Sequence, residues 1–166
     1  ETFDTRTRDF VTSTSILPWL SVELCAAVVD DMTPSEIEEM LVRLEQDLIF
    51  IVSSGPQRRA RYHQLFADLV RNTLRLEDRD RERDLRRRAA AFLATNDNVA
   101  AAVEQYLELA DAAGVVRMVV EHGRLFYERN ESATLVRWLR SAEAVATAPA
   151  PELGIHLLAA EIAALD

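Results

Sequence analysis

The sequence contains no lysine: all 19 of its cationic residues are arginines. That absence rules out a phosphate-loop lysine, a Schiff-base lysine or a kinase-type lysine anywhere in the 166 residues. Cysteine is nearly as scarce. With Cys25 alone, the chain can form neither an internal disulfide nor a thiolate zinc cluster, and an intracellular, cytoplasmic setting is the expectation. The first residues lack a basic stretch followed by an apolar core, and no apolar run approaches the roughly 20 residues that span a bilayer. Against the 19 arginines stand 28 carboxylates, for a formal charge of −9. Spontaneous attraction to DNA or anionic lipid therefore requires the arginines to cluster on one surface. The abrupt ends, with a helical pattern still running at Asp166, suggest a fragment of a longer protein.

Most of the chain carries three- and four-residue apolar spacing, so the class is mainly α. A first helix is expected over Thr5 to Thr14 with Phe10 and Val11 inward, stopping before Pro18, which disfavours helical geometry in Leu17. Ser21 is placed to cap a second helix whose Leu24, Cys25, Val28 and Val29 share a face. A third has a full start signal: Thr33 as N-cap, Pro34 at the first helical position and Glu36 three residues after the cap. Its apolar face reads Ile37, Met40, Leu41, Leu44 and Leu48. Strand-like sequence is confined to Leu48 through Tyr62: Ile49 to Val52, a turn from Ser53 to Gln57 with Gly55 and Pro56 at its tip, then Arg58 to Tyr62. Leu65, Phe66, Leu69, Val70, Thr73 and Leu74 follow as one face of a further helix. Three short helices, a hairpin and a helix are the order of a winged helix.

Between Glu77 and Arg88, five carboxylates alternate with six guanidiniums, the pattern of a solvated helix laced by i,i+4 pairs, and a domain boundary is placed here. Beyond it, a 34-residue shift superimposes Phe92 on Phe126, Asn96 on Asn130, Asp97 on Glu131 and Asn98 on Ser132. That is the tetratricopeptide period, and it points to stacked antiparallel helical hairpins capped by Asn98 and Ser132. Pro149 and Pro151 interrupt the array ahead of a last helix from Glu152 to Leu165. The expected organisation is a winged-helix-like domain over 1–76, a helical arm of stacked pairs over 77–148, and the start of a further helical region over 149–166.

His63 is the one residue singled out for ligand chemistry. Lying between strand and helix, its ring could meet a phosphate beside free helical N–H groups. The competing reading is a capping or structural histidine. Arg58, Arg59 and Arg61 on the wing could also touch phosphate, of DNA or nucleotide, or simply be solvated. Asp30, Asp31, Glu36, Glu38 and Glu39 argue against a DNA-reading surface, because they would repel a phosphate backbone. Cys25 lies on an apolar face, His122 and His156 lack partners at metal spacing, and Trp19 and Trp138 belong to core faces. No catalytic or metal-binding set is expected, and the chain is not read as an enzyme.

Several strings resemble the MalT-like, ATP-dependent LuxR-type transcriptional regulators, which belong to the signal-transducing ATPases with numerous domains (STAND). They are Arg8-Asp9-Phe10 leading to Thr14-Ser15-Ile16-Leu17, Leu44-Glu45-Gln46-Asp47-Leu48-Ile49-Phe50, and Tyr62-His63-Gln64-Leu65-Phe66. Arg87-Arg88-Ala89-Ala90, Ala100-Ala101-Ala102-Val103-Glu104 and Leu135-Val136-Arg137-Trp138-Leu139 resemble the family's helical arm. The resemblance implies a winged helix that closes onto an ATPase core, with a histidine at the position of His63 touching the β-phosphate of ADP. Gln64 stands where many relatives have proline. The family's phosphate-binding loop, magnesium-binding acid and DNA-binding helices are not in this sequence, so no cofactor is expected within it, while ATP or ADP is expected in the parent protein. The implied partners are the parent's ATPase core and sensor domain, together with self-association, and neither membrane nor direct nucleic-acid binding. The alternatives are a helical-repeat interaction module and a directly DNA-binding winged helix.

Overall fold

The computed structural model describes residues 4–47, 51–54, 59–146, 154–156 and 159–160, and these residues are mainly α-helical with one small antiparallel hairpin. Two compact units are present, Glu1–Phe92 and Leu93–Asp166. The division between them falls inside a helix.

In the first unit, α1 (Thr5–Thr14) begins where the Asp4 side chain accepts from the Thr7 amide at 2.7 Å. It buries Phe10, Val11 and Thr14. The short α2 (Val22–Ala26) is capped by Ser21, whose hydroxyl accepts from the Leu24 amide at 3.3 Å. Helix α3 (Pro34–Asp47) opens with the expected capping box: the Thr33 amide donates to Glu36 Oε2 at 2.8 Å, and Thr33 Oγ1 accepts from the Glu36 amide at 3.4 Å. Such a box satisfies two amides that the helix itself cannot, an effect worth about 1 kcal/mol. Ile37, Met40 and Leu44 are buried as expected; Leu48 lies outside the described residues.

The hairpin pairs β1 (Ile51–Ser54) with β2 (Arg59–Tyr62), in the register Ile51 opposite Tyr62 and Ser54 opposite Arg59. Strand pairing thus continues through Ser53 and Ser54, where the sequence predicts the turn. Ile49, Phe50, Gly55 and Pro56 lie outside the described residues. Leu20 adds an isolated antiparallel bridge to Ala60, its amide donating to the Ala60 carbonyl at 2.7 Å.

Helix α4 (Gln64–Glu77) corrects the expectation of one apolar face. Ala67 and Leu74 are buried, but Leu65, Leu69 and Leu76 are 75%, 65% and 87% exposed. Two apolar faces overlap in the same 14 residues, and periodicity alone does not reveal which one meets the core.

Helix α5 (Arg79–Thr95) is likewise less solvated than its charges suggested. Glu82 and Arg86 are 4% and 3% exposed and form an i,i+4 pair at 2.9 Å. Glu82 also receives Arg75 of α4 on both oxygens, with Nη2 at 2.9 Å from Oε1 and Nε at 3.1 Å from Oε2. Arg88 reaches back to the Ala27 carbonyl at 2.9 Å and to both oxygens of Asp30. Arg81 donates to Ser13 at 3.1 Å. These bonds fasten the first half of α5 to the first unit.

In the second unit, α6 (Val99–Glu108), α7 (Ala112–Glu128) and α8 (Ser132–Val145) pack successively. The turn before each is built around a left-handed residue: Asp97, Ala110 and Asn130, at φ 56°, 55° and 58°. At Ala110 the Asp111 amide donates to the Tyr106 carbonyl and the Ala110 amide to Leu107, both at 2.9 Å. The same double closure recurs at Asn130, with Glu131 donating to Phe126 and Asn130 to Tyr127. This is the Schellman geometry that satisfies the last carbonyls of a helix. It aligns Asp97 with Asn130, a period of 33 and not 34, and makes Glu131, not Ser132, the N-cap residue of α8. Asn98 caps α6 as expected, though its side chain makes no capping bond.

Trp138 is buried edge-on to Phe126, with centroids 5.0 Å apart. Gly114 lies where a Cβ would meet the Tyr106 ring at 2.4 Å, so the two helices approach closely there. Of the expected last helix, residues 154–156 and 159–160 are helical and the remainder lies outside the described residues.

Candidate functional site at the hairpin exit

The site is built by alternation along β2. Tyr62 turns inward, where its hydroxyl and Thr14 Oγ1 lie 2.8 Å apart, and Thr14 in turn donates to the Phe10 carbonyl at 2.7 Å. Burial pushes the Tyr62 phenol above its usual range, so this bond joins two neutral hydroxyls. Its neighbours Arg61 and His63 are consequently both exposed.

His63 is the residue at which the chain turns from strand to helix, with φ −57° and ψ 135°. Its carbonyl accepts from the Ala67 amide at 3.0 Å, beginning the helical ladder. Its side chain makes no capping bond. The imidazole therefore does not fill the capping role and stands beside the electropositive start of α4. Phe66, one turn on, packs against Tyr62 at 5.7 Å between ring centroids, which fixes the start of the helix beneath the histidine.

Of the wing arginines, Arg61 is exposed on the His63 side of the strand, Arg59 lies in β2 opposite Ser54, and Arg58 is outside the described residues. The structure thus brings Arg61 and His63 together around Tyr62. The leucines lining the outer face of α4 just beyond His63 were missed as a surface feature. Their spacing was the available signal: Leu65, Leu69, Asn72 and Leu76 follow one another at steps of four, three and four.

Elsewhere the sequence candidates are accounted for structurally. Burial of Cys25, on the inner face of α2, pushes its thiol up to about 12, which disfavours the thiolate needed for nucleophilic chemistry. His122 Nε2 lies 3.9 Å from the adjacent Glu121, and no group of three metal-ligating side chains occurs among the described residues. A cleft of about 520 Å³ lies between α1, the α2–α3 connection and α5. Its guanidiniums are engaged within the fold: Arg6 with Glu36, Arg81 with Ser13 and Asp9, and Arg88 with Asp30. Among the described residues no helix is long and apolar enough to cross a membrane.

No curated protein and no solved structure matches the chain. Residues 1–83 match the family model of the MalT winged helix domain, which covers α1 to α4 and the hairpin as well as the start of α5. With half of its length matched and helices, hairpin and following helix in the order that the family name describes, the chain belongs to the MalT winged helix domain family.

Proposed function

We propose that this chain is the regulatory middle of an ATP-dependent, LuxR-type transcriptional regulator of the STAND class, in which the winged helix couples the nucleotide state of a separate ATPase core to inducer sensing and self-association. The observation that carries this reading is the exposed, uncapped His63 at the strand-to-helix switch of a MalT-type winged helix. A ring nitrogen there can donate to a phosphate oxygen while the positive end of α4 favours the same anion, and Arg61 adds a guanidinium on that side. With ADP held between core and winged helix, these contacts would favour a closed state. Exchange for ATP together with inducer would remove the differential contact and release it. The mechanism is one of binding and release, with no covalent chemistry on this chain.

A directly DNA-binding winged helix is disfavoured by the outer surface of α3, where Glu38, Glu39 and Glu45 are exposed. A helical-repeat partner module draws support from α6 to α8, but leaves the exposed histidine without a role.

The deciding experiment uses the protein that joins this chain to its nucleotide-binding core. His63→Ala should weaken ADP retention and raise transcription in the absence of inducer, while ATP-driven activation persists. Unchanged ADP affinity in that variant removes the histidine from the mechanism.

A further inference from the structure

The outer face of α4 carries an observation that the nucleotide reading does not use. At 100° per residue, Leu65, Leu69, Asn72 and Leu76 fall within about 60° of the helix circumference and run about 16 Å along it. All four are exposed, diametrically opposite the buried Ala67 and Leu74. Their four-three-four spacing is that of a heptad seam, in which a single polar residue, here Asn72, commonly sets register. Solvent-facing leucines at this spacing on an ordered helix mark a surface meant to be covered.

The charges beside the seam identify the occupant. Arg61 and His63 are exposed at its head, Glu77 and Asp78 at its tail. Two copies of α4 laid antiparallel, Leu65 against Leu76 and Leu69 against Asn72, bring each basic head against an acidic tail. A parallel pair would place like charges together at both ends. We infer that the outer face of α4 is a self-association surface on which a second copy of this chain docks antiparallel through Leu65, Leu69 and Leu76.

One short helix seam covers less than the roughly 1,200 Å² of a stable standard interface, so the pair is weak and concentration-dependent. The test is sedimentation equilibrium of the full 166-residue chain from about 5 to about 500 µM, a range that brackets a weak dimer. A monomer–dimer equilibrium is expected, shifted at least tenfold towards monomer by Leu69→Glu and by Glu77→Arg, with helical content unchanged because both side chains already face solvent. Orientation is read by oxidising single-cysteine variants, since native Cys25 is buried. A mixture of Leu65→Cys and Leu76→Cys should cross-link across the two variants, in preference to either one with itself. A chain that stays monomeric throughout, a dimer indifferent to Leu69→Glu, or cross-linking mainly between identical variants would each overturn the inference; the first would leave this face to a different occupant, such as a neighbouring domain. None of these outcomes depends on nucleotide, so the His63 reading stands or falls separately.

Discussion

Replacing Glu82 by glutamine keeps its shape and removes its charge, and the structure sets what that should cost. The carboxylate lies between Arg75 and Arg86 with hydrogen bonds of 2.9 to 3.3 Å, and it is 4% exposed. Burial raises the Glu82 pKa while the two arginines lower it, and the arginines prevail, so the side chain is an anion. Arg75 is half-exposed and can regain water when its partner loses charge; Arg86, 3% exposed, cannot do so without opening the fold. Removing one partner of a buried ion pair costs about 3–5 kcal/mol, and the relief available to Arg75 puts the expected loss near the lower end, about 3 kcal/mol. For a unit of this size each kcal/mol moves the midpoint by about 4–8 °C, so a fall of at least about 12 °C is expected. Trp19 lies in the first unit and Trp138 in the second, so fluorescence of Glu82→Gln in a Trp138→Phe background reports the first unit by itself. The double variant Glu82→Met/Arg86→Met should recover most of the loss, because well-packed apolar residues replace buried pairs at little cost. A loss below about 1 kcal/mol for Glu82→Gln, or no recovery in the double variant, would refute the reasoning.

Two further predictions follow from single contacts. Gly114→Ala forces the Tyr106 ring away from a Cβ that would lie 2.4 Å from it, an overpacking cost of about 1–3 kcal/mol that outweighs the roughly 1 kcal/mol gained in helix propensity; urea denaturation followed by Trp138 should show a net loss, and a gain would mean that the ring moves freely. Glu36 has its pKa lowered to about 2 by the Thr33 amide first, then by Arg6 and the Thr33 hydroxyl, so the stability it supplies is complete above its ordinary value of 4.5 and is lost as pH falls towards about 2. Glu36→Gln should flatten the acid limb of the stability profile over that window, and an unchanged limb would assign acid unfolding to other carboxylates.

Residues that act on their immediate neighbours were legible in the sequence. Thr33, Pro34 and Glu36 determine a helix start within a few residues, and the bounds of α1 and the cap at Ser21 were equally local. What escaped was set by distant partners. Glu82 and Arg86 look like surface charges until Arg75 folds over them, and Leu65 and Leu69 fit an inward face as well as an outward one until α1 packs against the other side of α4. The 34-residue shift aligned side-chain identities, whereas the backbone repeats every 33 because the left-handed turn can be made by aspartate or asparagine alike. At the candidate site, the position of His63 was readable from the strand-to-helix order. Its exposure followed only once Tyr62 was seen bonded to Thr14.

Of the three left-handed turns that precede α6, α7 and α8 among the described residues, two use side chains that tolerate that handedness and one uses alanine. Ala110 is exposed, and at its positive φ the methyl group crowds its own backbone. The α6–α7 elbow therefore holds a reserve of about 1 kcal/mol that a glycine would release without disturbing any packed surface. Substitutions elsewhere in these helices that cost a similar amount could be absorbed by that one exchange, which gives the region room to diversify its outward residues while keeping its fold.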